Sequence, residues 1–310
     1  MTYSIVALDP KTGALGVAAQ SKVLAAGAGL AWAEAGVGAV ATQAISNLTY
    51  GPDGLALLRK GTDAATAVKR VADADTMRAH RQVGIVAASG SSAAFTGDSC
   101  IPWAGHRSGR GIAVQGNILA GPAVIDDMFE TAVYDPEPFP ERLVAALRAG
   151  EAAGGDRRGR QAAALLVASG IDSDRSGVID LRVDDDDAPI DRLAALLRDH
   201  RLHMDRPEPG DLVPMTAVLA GELRALLGAV GTVPERIDDF LIRELVDPTS
   251  LAEWDELPIG EPRPLPEGWN DAWQQALVGW MVLENLQARF AAPGWVDPQI
   301  VDLLRSRAGR

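Results

Sequence analysis

Apolar and small residues alternate with turn chemistry over the first twenty residues. Residues 3–8 (YSIVAL) are β-rich, residues 9–13 (DPKTG) supply a glycine-containing turn, and residues 15–21 return to small and apolar side chains. The pattern predicts an N-terminal hairpin, followed by a third strand over 36–43 (GVGAVATQ). Two helices are expected next. One spans 52–60 and is closed by Gly61; the other spans 62–71, capped by Thr62, with Ala64, Ala67, Val68 and Val71 at helical spacing. Strands are predicted over 82–88, 92–96 and 111–119, helices over 122–131 and 139–149 with Gly150 ending the second, and strands again over 162–168 and 178–183. Strand groups separated by helix pairs do not give the alternation of a doubly wound sheet. They fit an α+β sandwich in which two sheets face each other and helices cover the outsides.

The pattern changes after Asp184. Five of the seven tryptophans (Trp254, Trp269, Trp273, Trp280 and Trp295) lie in the later part of the chain, and no tyrosine follows Tyr134. Helices are expected over 190–202, 214–227, 234–245 and 269–290; Thr232 and Glu235 have capping-box spacing, and Trp273, Leu277 and Trp280 share one face of the last helix. Residues 257–266 (LPIGEPRPLP) are too proline-rich for a regular element and predict an extended crossover. The expected division is therefore a sandwich over 1–187 and a mainly helical domain over 188–310.

Composition narrows the partners. With 47% apolar and 23% charged residues the chain of 310 should fold, and its net charge of −13 disfavours nucleic acid and anionic membranes. The single cysteine, Cys100, allows no intrachain disulfide and no clustered thiolate metal site. The first residues carry no basic, apolar leader and no apolar run reaches the length of a membrane span, so a cytoplasmic protein is expected. Neither a glycine-rich phosphate loop nor a metal-binding histidine pair is present, and no cofactor or metal is expected. Residues 172–177 (DSDRSG) imitate the start of a calcium loop, but the twelfth position is Val183 where a glutamate is required.

Several side chains could carry chemistry. Met1 precedes a small residue, so its removal would leave Thr2 with a hydroxyl and a free α-amine of pKa about 8, able to act as base for its own hydroxyl. Ser4 stands two residues on, on the same strand face. Cys100 and His106 lie six residues apart across a proline-containing loop; a nucleophilic pair and a structural thiol beside a pocket-lining His106 are both open. Gln43, Asn47, Gln115 and Asn117 are amides near strand ends, suited to an oxyanion or to loop capping. Arg157, Arg158 and Arg160 form a basic cluster in an acidic chain, able to hold a substrate carboxylate or to pair internally with Asp156.

The blocks TYSIVALDPKTGALGVAAQS, GVGAVATQA, YGPDGLALL, RQVGIV, AAFTG, CIPWAGH, AVQGNILAG, GEAAGGDRRGRQAAALLV and IDLRVDD, in this order over roughly residues 1–200, resemble the bacterial family of unknown function numbered 1028. Members of that family resemble N-terminal-nucleophile hydrolases. The resemblance implies a four-layer αββα sandwich, cleavage of an amide bond in a small molecule or peptide, and Thr2 as nucleophile. Strand-end side chains form the oxyanion hole in that fold; by position, Gln43, Asn47 and Asn117 are the residues expected to give such support and Arg157 and Arg158 to meet substrate charge, with His106 lining the pocket. A non-catalytic binding or scaffold protein on the same fold is the alternative. The C-terminal segment ENLQARFAAPGWVDPQIVDLLR resembles the peptidoglycan-binding domain often appended to the family. Glycine- and alanine-rich strands would permit close subunit packing in a homodimer or larger homo-oligomer.

Overall fold

A computed structural model describes residues 2–170, 178–234 and 258–309. It divides into two compact units, residues 1–198 and 199–310. In the first unit β1 (Thr2–Leu8) and β2 (Leu15–Ser21) form the expected antiparallel hairpin. They sit at the centre of a six-stranded sheet whose order is β10-β9-β2-β1-β8-β7, completed by β7 (Gly105–Gly109), β8 (Ile112–Gly116), β9 (Ala162–Ala168) and β10 (Val178–Val183). A second sheet contains β3 (Ala31–Glu34), β4 (Gly38–Ala44), β5 (Arg81–Ala87) and β6 (Ser92–Thr96) in chain order.

The sheets meet through Val6, Leu15, Val17, Ala39, Ala41, Val86 and Ala113, mostly small or β-branched side chains that allow close sheet packing. Helices α1 (Tyr50–Arg59) and α2 (Ala64–Asp73) cover the second sheet with Leu55, Leu58, Val68 and Val71. On the other side α3 (Ala123–Tyr134), α4 (Phe139–Ala152) and α5 (Pro189–Met204) bury Met128, Leu143, Leu147, Ile190 and Leu193 against the six-stranded sheet. The result is the expected α+β arrangement of helix, sheet, sheet and helix layers. Because Ile190, Leu193 and Leu197 of α5 belong to this core, the unit boundary falls at 198/199, eleven residues beyond the expected 187/188.

Local differences have identifiable causes. Asp63, not Thr62, caps α2, its carboxylate accepting from the Thr66 N–H at 3.0 Å. No strand is predicted over 105–109, where GHRSG contains no apolar residue, yet β7 forms there. Its glycines make room for rings: a Cβ on Gly105 would approach Trp103 to 2.5 Å, and one on Gly109 would approach Phe129 to 2.7 Å.

The second unit has its own core of Leu223, Leu227, Leu277, Trp280, Ile300 and Leu304. These come from α6 (Ala217–Ala229), α7 (Asp271–Leu283) and α8 (Pro298–Ala308), and β11 (Val213–Pro214) pairs with β12 (Trp295–Val296). Helix α6 begins at 217 rather than 214 because Thr216 caps it, accepting from the Leu219 N–H. Helix α7 stops at 283 rather than 290, since Asn285 takes a left-handed conformation at φ 58° and the chain turns back. Helix α8, unanticipated from the sequence, starts at Pro298 under an Asp297 cap. Arg289 is buried beside it and meets Asp297 at 2.5 Å. The expected helix over 234–245 with its Glu235 capping box, Trp254, and the calcium-like stretch at 172–177 lie outside the described residues. Among the described residues no helix is long and apolar enough to cross a membrane.

Candidate functional site

At one end of the sandwich the inter-sheet face changes character. Along β1 the inward series Val6, Ser4, Thr2 passes from apolar to hydroxyl; β4 passes from Ala39 and Ala41 to Gln43, β5 from Val86 and Gly84 to Gln82, and β8 from Ala113 to Gln115. The changes coincide because the registers align. Ser4 lies opposite Gln115, and Gln43 opposite Gln82. Ser4, Gln43, Gln82 and Gln115 are at most 1% exposed, so their polar atoms depend on one another.

Gln82 is the hub. Its Oε1 accepts from Gln43 Nε2 and from Asn117 Nδ2, each at 2.8 Å, while its Nε2 donates to Thr96 Oγ1 and the Gly116 carbonyl at 2.8 Å and to the Gly105 carbonyl at 3.1 Å. Gln43 Nε2 also reaches the Thr2 carbonyl at 3.0 Å, and Ser4 Oγ donates to Gln43 Oε1 at 2.6 Å while accepting from Gln115 Nε2 at 2.7 Å. The Thr2 carbonyl receives a second bond from the Asn117 N–H at 3.1 Å and a long one from Asn117 Nδ2 at 3.5 Å. Its hydroxyl donates to Ser21 Oγ at 3.1 Å across the hairpin. Residue 2 is thus held by both its side chain and its main chain, and it is 4% exposed.

The backbone is strained at this end. Ala44 follows Gln43 at φ 69° and Ile118 follows Asn117 at φ 51°, a conformation that costs a non-glycine residue about 1 kcal/mol. For β-branched Ile118 the position is a genuine outlier. Such strain persists where surrounding contacts over-determine the chain, here the Ile118 N–H on the Ile101 carbonyl and the Arg157 N–H on the Ile118 carbonyl.

The other expected residues fall into separate settings. His106 is exposed on β7 and its Nδ1 lies 2.8 Å from Thr96 Oγ1, which joins it to the Gln82 hub; desolvation of the ring lowers its pKa from the ordinary value and favours the neutral form. Cys100 does not pair with it. The thiol donates to the Arg81 carbonyl at 3.3 Å, and burial pushes its pKa up, so it is a structural thiol. Asn47 stands away from the network: its Nδ2 donates to Asp75 at 2.8 Å and its Oδ1 accepts from the Thr49 N–H and hydroxyl. Asp75 also takes Arg81 Nε at 2.8 Å and the Met77 N–H. Burial pulls its pKa up, but these donors outweigh it and hold the carboxyl well below its ordinary value. Asn47 therefore acts in a loop-capping cluster.

The arginines split in the same way. Arg158 is bound by Asp156, Nη2 to Oδ2 at 2.7 Å and Nε to Oδ1 at 3.1 Å, while Arg160 meets Glu151 at 3.2 Å. Internal pairing accounts for both, and Arg157 keeps an exposed side chain. Gln82 is not distinguished by the sequence pattern alone. The signal was a lone carboxamide in phase with Gly84 and Val86, visible once the β5 face is known.

The model of a family described only as of unknown function, DUF1028, matches residues 2–193, which contain every residue of this network. The chain belongs to this family. A DUF1028 member of known structure, protein SPO2555 from Silicibacter pomeroyi, is 33% identical, with a TM-score of 0.60 over 64% of this chain and 89% of that one. No curated protein matches the sequence. The DUF1028 region ends inside α5, just before the compact sandwich ends, so the second unit lies beyond it. There the described tryptophans are committed to packing. Trp269 and Trp280 are 5% and 3% exposed, Trp273 lies against Trp269, and Trp295 donates to the Glu261 carbonyl.

Proposed function

We propose that this DUF1028 protein is an amide hydrolase whose nucleophile is the Thr2 hydroxyl after removal of Met1. The observation that carries the reading is the fixation of residue 2 at the polar end of the sandwich, with its hydroxyl on Ser21 and its carbonyl gripped by Gln43 and Asn117. While Met1 is attached, the Thr2 nitrogen is a peptide N–H and cannot act as a base. Once freed, the amine takes the hydroxyl proton as Oγ1 attacks the amide carbon, then returns it to the leaving nitrogen; water hydrolyses the ester that remains. The resemblance to N-terminal-nucleophile hydrolases supports the same assignment.

In this reading Gln43 and Asn117 are positioning residues, since their amide groups are already bonded to Thr2 and Gln82. Pre-positioning the nucleophile contributes to the rate in its own right. Arg157, with its exposed side chain, suits a charged part of the substrate better than Arg158, which Asp156 holds.

A second reading is a binding protein without turnover, favoured by the 4% exposure of Thr2. The two separate in an assay of amine or ammonia release from glutamine, asparagine and N-acyl amino acids. Hydrolysis reduced by roughly a thousandfold or more in Thr2→Ala, with the fold intact, supports the nucleophile; unchanged turnover in that variant removes it.

A further inference from the structure

The opposite face of the same hairpin carries a second polar site. Tyr3 and Gln20 are directly paired across β1 and β2 and point toward the helix layer, away from Thr2 and Ser21. In the row across the sheet their neighbours are Gly116 on β8 and Ala163 on β9, which are too small to cover them. Tyr3 is fully buried and Gln20 is 2% exposed, yet the Tyr3 hydroxyl and both Gln20 Oε1 and Nε2 have no hydrogen-bond partner in the protein. Leaving three such polar atoms unsatisfied is costly, and natural folds avoid it unless something else meets them.

All three atoms belong to side chains lining an open cleft of about 300 Å³, at the lower end of the range for small-molecule sites. The segment after α4 forms its wall, where Gly154, Gly155 and Gly159 all take positive φ. A Cβ on Gly155 would sit in ordinary van der Waals contact 3.7 Å from the Tyr3 hydroxyl, so the wall lies directly against that side chain, and the φ of 53° is what favours glycine there. The charges around the cleft already balance. Asp156, whose side chain is fully buried, receives Arg158 and the Lys22 N–H, and Glu151 pairs with Arg160 at the more exposed rim.

We infer that this cleft binds a small neutral molecule through a carboxamide, lactam or ureido edge that pairs with the Gln20 carboxamide and is touched by the Tyr3 hydroxyl. The chemistry selects that class. Gln20 needs an acceptor for its N–H and a donor for its oxygen on one planar edge, and an amide edge supplies both. A carboxylate would leave Oε1 without a donor and would enter beside Glu151 and Asp156. An ammonium ion would leave the Gln20 N–H groups without an acceptor. The site stands apart from the nucleophile reading, because Thr2 and Ser21 face the other side of the sheet.

The test uses the full-length protein and amide proton–nitrogen NMR spectra, with acetamide and 2-pyrrolidinone as probes and acetate, methylammonium and glycerol as controls, each at millimolar concentration. Saturable shifts are expected for the Gln20 side-chain amide and for Gly154 and Gly155 with the two amide probes alone. They should vanish in Gln20→Leu, weaken in Tyr3→Phe and persist in Thr2→Ala. Gln20→Leu removes a group without partners, so it should melt no earlier than the parent; earlier melting would show that Gln20 has a structural partner and would overturn the site. The inference also fails if the amide probes give no saturable shift, if glycerol or either ion binds as well, or if the shifts survive Gln20→Leu. A crystal structure soaked in acetamide that shows only ordered water on Gln20 would overturn it too.

Discussion

Replacing Gln82 by methionine isolates the buried network, because the side chain keeps a similar size and loses its amide. Asn117 Nδ2 would keep only its 3.5 Å approach to the Thr2 carbonyl, Gln43 Nε2 would lose one of three acceptors, and Thr96 Oγ1 and the Gly105 and Gly116 carbonyls would lose a donor. Gln82 is 0% exposed, so water does not readily replace these bonds. Two groups left without a good partner, at about 1–3 kcal/mol each, put the loss at roughly 4 kcal/mol for the sandwich unit, the middle of a range of about 2–6. Hydrogen exchange followed peptide by peptide through increasing urea reads that unit separately from the tryptophan-rich second unit. Protection in β1, β5 and β8 should fall by roughly three orders of magnitude, since each 1.4 kcal/mol is a factor of ten. A loss below about 1 kcal/mol would refute the claim that Gln82 is the hub.

Two further predictions concern other clusters. Asp75 has a depressed pKa in the folded state, so its contribution is present above its ordinary value near 3.8 and is lost as pH falls through the folded value. Asn47→Ala removes one donor, which raises the folded value, lowers stability at neutral pH by about 1 kcal/mol and moves acid unfolding to higher pH; an unmoved midpoint in a circular-dichroism pH titration would contradict this. In the second unit Arg289 donates to Asp297 and to the Leu202 and Arg201 carbonyls, so Arg289→Met leaves the buried Asp297 carboxylate with the Gln299 N–H but no counter-charge, and should cost about 3 kcal/mol. Tryptophan fluorescence in urea would report it, and a change within about 0.5 kcal/mol would show the pair to be inert.

The sequence made the layers legible because most strands carry apolar or β-branched runs and the outer helices carry apolar residues at helical spacing. β7 was hidden for the opposite reason, since its residues serve Trp103 and Phe129 instead of a hydrophobic face. Helix α8 was hidden because its apolar positions Ile300, Val301 and Leu304 are few and only Asp297 and Pro298 mark its start. At the candidate site, Thr2, Gln43 and Asn117 were readable as polar residues at strand ends. Their convergence on Gln82 was not, because it depends on the registers of two sheets. Proximity in the chain misled at Asn47, which stands four residues from Gln43 but serves Asp75; of the two roles open to the arginines, Arg158 and Arg160 take internal pairing, with Asp156 and Glu151. Nothing in the sequence marks Tyr3 and Gln20, because what sets them apart is the hydrogen-bond partners they lack in the folded chain.

The nucleophile reading requires that Thr2 begin the working chain. Intact mass and the N-terminal peptide of the purified, active protein test this directly, combined with labelling by a β-lactone that acylates N-terminal threonine. The account predicts a mass lower by one methionine residue and a single acyl group on Thr2, absent in Thr2→Ala. Active protein that retains Met1, or that carries the acyl group elsewhere, would contradict it.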